Sequence, residues 1–114
     1  MPALIDIGAN LAHDSFDADL DAVLERARVA GVTQIVVTGS SLGSTRRALE
    51  LARRYPQTLF ATAGLHPHHA SEWNADVAAQ FRELAVAAEV VSLGECGLDY
   101  NRNYSTPDDQ RRAF

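Results

Sequence analysis

The chain has no lysine and only one cysteine. All ten of its basic residues are arginines, spread along the sequence among fifteen carboxylates, and the net charge is −5. A plain electrostatic DNA-binding module presents a basic face, so that class is excluded. An enzyme acting on nucleic acid is not, because bound metal ions can face phosphates in place of basic side chains. Cys96 can form no internal disulfide, as expected in a reducing compartment. Its neighbour is the carboxylate Glu95, whereas reactive thiolates form beside cationic groups, so Cys96 is a poor nucleophile. No run of eighteen apolar residues occurs, and no membrane span or membrane partner is expected. The N-terminus, Met1-Pro-Ala-Leu-Ile-Asp6, lacks the basic and apolar regions of a signal peptide, which makes the cytoplasm the expected location. Low-complexity segments and long linkers are also missing, and residues 1–114 read as one domain.

What the sequence has instead is a recurring unit of roughly thirty residues, an apolar run, a polar loop and a helical pattern. Parallel strands are expected near residues 3–8, 33–39, 58–64 and 90–94. The first helix is expected from about Ser15: Phe16, Leu20, Val23, Leu24 and Ala27 share a face, Asp14 or Ser15 caps it, and Gly31 ends it. Ser40 or Ser41 caps the second helix, with Leu42, Thr45, Leu49, Ala52 and Tyr55 on one face and Pro56 as its stop. Val77, Phe81, Leu84, Ala85 and Ala88 line the third. Thr106 and Pro107 open a fourth, with Asp109 as a capping-box partner.

Strands alternating with helices at this spacing predict an α/β fold with a parallel sheet. Asn10, Thr38, His66 and Glu95 each follow a strand. They therefore gather at the carboxyl edge of the sheet, where parallel α/β folds build their sites. Four βα units are half of the eight that a closed barrel of ~250 residues needs, so the expected architecture is a (βα)4 N-terminal half of a TIM barrel. A complete four-stranded sheet with helices on both faces is the competing architecture. It does not account for a sequence that stops inside the helix begun at Thr106. An open half barrel exposes two strand edges and its inner face, and self-association follows from that exposure.

The site candidates sit in two loops. In Leu93-Gly-Glu-Cys-Gly-Leu-Asp99, a buried strand ends at Glu95, a hard oxygen ligand of the kind that shares a divalent ion with histidines or aspartates from other strands. Asp99 either orients such a ligand or caps backbone N–H groups. In His66-Pro-His68-His69, the His-x-His spacing can place two imidazoles on one metal, although surface loops also carry histidines. His66 lies nearest the strand end and is the main candidate; His68 and His69 are further away.

Asp6-Ile-Gly-Ala-Asn10, Ala63-Gly-Leu-His-Pro-His68 and Gly94-Glu-Cys-Gly-Leu-Asp-Tyr-Asn-Arg-Asn103 resemble the TatD family of metal-dependent deoxyribonucleases, TIM barrels related to the amidohydrolases. The resemblance runs over the whole chain and is strongest around Glu95. It implies a Mg²⁺-assisted hydrolase, chiefly a 3′→5′ exonuclease on single-stranded DNA or RNA. Glu95 would be a metal ligand and His66 an active-site residue near the scissile phosphate. Asn10 and Asp99 stand as substrate or supporting candidates. Most family members carry His-x-His after the first strand; here those positions are Gly8 and Asn10, a departure that the TatD branch shares. The later histidines and aspartate of the family's metal site are expected beyond Phe114, so the isolated 114 residues are expected to show little or no nuclease activity. The alternatives are an amidohydrolase-like esterase or amidase using the same site, or an inactive folding or interaction unit.

Overall fold

The computed structural model describes residues 2–114. Four strands, β1 (Leu4–Ala9), β2 (Val32–Val37), β3 (Leu59–Ala63) and β4 (Val90–Leu93), alternate with helices α1 (Leu20–Val29), α2 (Leu42–Arg54), α3 (Ala75–Ala85) and α4 (Pro107–Ala113). The sheet order is β1-β2-β3-β4, and every neighbouring pair is parallel. The architecture matches the sequence expectation, and strand bounds fall within two residues of it.

Burial concentrates on the two inner strands. Ile35 and Val37 of β2 and Leu59 and Ala61 of β3 pack with Leu20, Ala48, Leu51 and Ala52 from α1 and α2. Full burial of one such aliphatic side chain is worth about 1.5–3 kcal/mol. A second cluster joins Ala63 and Leu65 to Phe81 of α3, with Trp73 and Ala113 packed against it. The outer strands differ: Ile7 in β1 is 83% exposed and Leu93 in β4 is 73% exposed. Parallel sheets are ordinarily covered on both faces, so these side chains mark surface lacking a neighbour.

The first helix departs from the sequence reading. Residues Asp14–Phe16 form a 3-10 turn instead, and His13 caps it by accepting the Ser15 N–H. The α-helix opens at Leu20, after Asp19, which makes no side-chain capping bond. A local side chain-to-backbone bond has competed with the helix ladder at its start. Phe16 still packs against the core, so the apolar face survives the break. In α2 the cap is Ser41, with Ser44 closing a capping box. The third helix ends at Ala85, before Ala88. Thr106 accepts the Asp109 N–H as expected, but the Asp109 carboxylate pairs with Arg112 rather than completing a box.

Candidate active site

The ends of β3 and β4 meet at Gly64. A Cβ placed there would lie 2.1 Å from the Gly94 carbonyl carbon and 2.4 Å from the Glu95 nitrogen, so only a hydrogen fits between the segments. Gly94 itself has φ of +147°, a conformation open to glycine and rare for L side chains. Three backbone bonds then fix the rim. Gly94 N–H donates to the Ala63 carbonyl at 2.9 Å, Glu95 N–H to the Gly39 carbonyl at 3.0 Å, and His66 N–H to the Ser40 carbonyl at 2.8 Å. The loop after β2 is thus the common anchor of both principal candidates.

His66 caps a 3-10 turn, Pro67–Glu72, where the sequence predicts a loop. Its Nδ1 accepts the His68 backbone N–H at 3.1 Å. A ring nitrogen that accepts carries no proton, so neutral His66 holds its proton on Nε2. That atom faces Glu95 Oε1 at 3.5 Å, too long for a good hydrogen bond. Burial pushes the His66 pKa below its ordinary value; the Glu95 carboxylate opposes this and His68 adds to it. At neutral pH the ring is therefore an uncharged donor through Nε2. The Glu95 side chain stays half exposed, open to a ligand.

Beside this pair lies a second one. His68 Nε2 meets Asp99 Oδ2 at 2.9 Å, and the His68 ring stands edge-on to His66, with centroids 4.2 Å apart, and to Tyr104, at 4.6 Å. The Asp99 carboxylate also accepts the backbone N–H groups of Asn101 and Arg102 and lies 3.3 Å from Arg102 Nε. The His68 hydrogen bond, followed by the backbone ones, holds its carboxyl at about 2. The Asp99 backbone is gripped in turn by the buried Gln110 of α4: Oε1 accepts the Asp99 N–H, and Nε2 donates to the carbonyls of Asp99 and Ser105. The Ser105 hydroxyl closes the circuit by donating to the His68 carbonyl.

The structure thus brings His66 to Glu95 and Asp99 to His68. His69 points elsewhere, pairing with Glu72. Asn10 lies just past β1, exposed, and among the described residues its side chain makes no hydrogen bond to the others. Cys96 is exposed and lines an apolar recess of about 270 Å³ with Trp73, Phe81, Leu93 and Phe114. No imidazole or carboxylate lines that recess, so it lies apart from the histidines and carboxylates of the candidate site. The sequence favours His66 over His68 and does not mark Gln110, Tyr104 or the Gly39 and Ser40 carbonyls. Gln110 carried one faint signal, a polar residue on the helix face that Ala113 buries.

Among the described residues no group of three His, Cys, Asp or Glu side chains is placed to hold a metal ion. Glu95 suits a hard divalent cation, but one carboxylate alone does not complete an octahedral site.

The family model of TatD related DNase matches residues 5–114. The chain is 50% identical over 111 residues to a protein of Pectobacterium parmentieri named 3′-5′ ssDNA/RNA exonuclease TatD, covering 97% of this chain and 43% of that protein. It is 51% identical to the protein of the same name in Cronobacter turicensis, covering 97% and 42%. The crystal structure of a TatD family hydrolase from Entamoeba histolytica superposes with a TM-score of 0.89 at 30% identity, covering 98% of this chain and 43% of that one. A TatD homologue from Escherichia coli follows at 0.84 and 31%, covering 96% and 43%. The chain therefore spans less than half the length of these relatives. Its four parallel strands and helices match the N-terminal half of a TatD TIM barrel, and the chain belongs to the TatD family.

Proposed function

We propose that this chain supplies the His66–Glu95 part of a divalent metal-dependent nuclease site that removes nucleotides from the 3′ end of single-stranded DNA or RNA. The observation that carries this reading is the facing of an uncharged imidazole N–H and an open carboxylate on one sheet edge, in a chain half identical to named exonucleases. Glu95 would hold one coordination position of a divalent ion, Mg²⁺ being the hard cation that carboxylate oxygens and phosphates favour. Bound there, such an ion supplies a Lewis acid for the phosphate and a more acidic water. His66 donates its Nε2 proton in a hydrogen bond to a phosphate oxygen. It cannot be a ligand through Nδ1, which the His68 N–H occupies. Asp99 holds His68 and through it the loop, and Asn10 offers a neutral amide toward substrate. Residues 1–114 serve as one half-barrel unit in this reading, and the cytoplasm is its compartment; no described helix is long and apolar enough to cross a membrane. Exposed Ile7 and Leu93 favour self-association through β1 and β4, which sedimentation measures.

The test is reconstitution. The chain alone should cleave a labelled single strand weakly or not at all. Mixed with the remaining part of the Pectobacterium exonuclease, it should cleave in Mg²⁺. Glu95→Gln should then lose metal binding and rate together. His66→Ala should lose rate while calorimetry shows metal binding retained; its abolition would make His66 a ligand and defeat the assignment. A second reading, ester or amide hydrolysis, draws on a yeast structure titled an uncharacterized amidohydrolase, at 29% identity and a TM-score of 0.81. Aminoacyl esters run beside the oligonucleotide separate the two.

A further inference from the structure

We propose that Tyr104 and Arg102 form a nucleotide subsite beside His66, with Tyr104 stacking on an unpaired base and Arg102 holding a backbone phosphate. The inference rests on the nuclease reading and names where that substrate lies. Glu95, His66, His68 and Tyr104 form one continuous row, each touching the next: 3.5 Å from carboxylate to ring, then ring centroids 4.2 and 4.6 Å apart. His68 is pinned within the row by Asp99, which is itself held by Gln110. The row is thus anchored to α4. Its outer member, Tyr104, is 71% exposed. Its contact with His68 is edge-on, at 72°, which leaves ring surface free.

This exposure differs in kind from that of Ile7 and Leu93. Those lie within outer strands and mark missing sheet neighbours. Tyr104 lies on the loop above the carboxyl edge, at the end of a row that begins at the chemistry. Arg102, two positions before Tyr104, lies against the Asp99 carboxylate that pins His68. Its Nε lies 3.3 Å from the Asp99 carboxylate and its side chain is 62% exposed, which leaves the guanidinium open to a phosphate that the planar fork suits. An aromatic face paired with a cation is the combination that binds single strands without reading sequence. A base inside a duplex offers no such free face.

The experiment uses the 114-residue chain, a fluorescein-labelled short oligothymidylate and EDTA, with affinity read by anisotropy. Tyr104→Ala should weaken binding about five- to hundredfold, the range that stacking of one base contributes. Tyr104→Phe, which keeps the ring, should stay within about twofold of wild type. An oligonucleotide with abasic sites should bind wild type and Tyr104→Ala alike. Arg102→Gln should reduce the slope of log affinity against log salt by about 0.7, one phosphate contact on a single strand. The proposal is overturned if Tyr104→Ala binds as wild type does, if Tyr104→Phe loses as much as Tyr104→Ala, if a duplex of the same sequence binds as well, or if wild type shows no binding at millimolar chain. Because EDTA removes the metal, failure here leaves the reconstituted cleavage test standing. Failure of cleavage with stacking intact would instead defeat the nuclease reading alone.

Discussion

Replacing Gly64 by alanine tests the contact on which the candidate site is built. The added Cβ would sit 2.1 Å from the Gly94 carbonyl carbon and 2.3 Å from its oxygen. Carbon–carbon contacts begin near 3.5 Å, so the Glu95 loop must retreat by about 1.4 Å. Both obstructing atoms are backbone, and no rotamer change relieves them. A retreat of that size stretches the bonds from Gly94 N–H to Ala63 and from Glu95 N–H to Gly39, now 2.9 and 3.0 Å, beyond hydrogen-bonding range. Overpacking costs about 1–3 kcal/mol, and each lost bond about 0.5–1.5 kcal/mol. The expected destabilisation is about 2–6 kcal/mol, a fall in Tm of about 8–24 °C for a chain of this size. Gly43→Ala is the matched control. Gly43 lies in the first turn of α2, is exposed, and has nothing within 4 Å of its would-be Cβ. The same substitution there should stabilise by about 0.5–1 kcal/mol through helix propensity. Urea and thermal melts followed by circular dichroism give both values, and the Glu95 amide resonance reports the loop. If the two variants shift the midpoint in the same direction, the close approach of the two strand ends does not exist and the geometry built on it fails.

Three further outcomes are expected. Ser41→Ala removes the cap that accepts the Ser44 N–H and should cost about 1 kcal/mol in a urea melt. Gln110→Leu keeps the volume but strands the Asp99 N–H and two carbonyls; a loss of about 2–4 kcal/mol is expected, with hydrogen exchange accelerating first in residues 98–105. Asp99 has its folded carboxyl at about 2, below the ordinary 3.8, so its ionised form is the stabilising one. That contribution is full above about pH 4 and is lost as the pH falls through 2. The stability advantage of wild type over Asp99→Asn should shrink across that window, and an advantage that grows on acidification would contradict the pairing with His68.

The sequence by itself determined the alternation of strands and helices, and with it the gathering of Asn10, His66 and Glu95 at one edge of a parallel sheet. Those features follow from local periodicity, from the stop at Pro56, and from the cap at Thr106 with Pro107 behind it, all short-range effects written in neighbouring residues. Even so, apolar spacing does not mark the start of α1, because the His13 side chain offers the Ser15 N–H a competing partner. Tertiary structure alone decided the site. His68 and Asp99 are thirty-one positions apart, and only the packing of the Pro67–Glu72 turn against α4 makes them partners. The proton on His66 Nε2 was settled by a backbone N–H in that same turn, not by any residue type. The Gly39 and Ser40 carbonyls, which hold Glu95 and His66 in place, belong to no motif. Every residue has such a carbonyl, and which one becomes an anchor depends on strand register and on how closely Gly64 lets two chain segments meet.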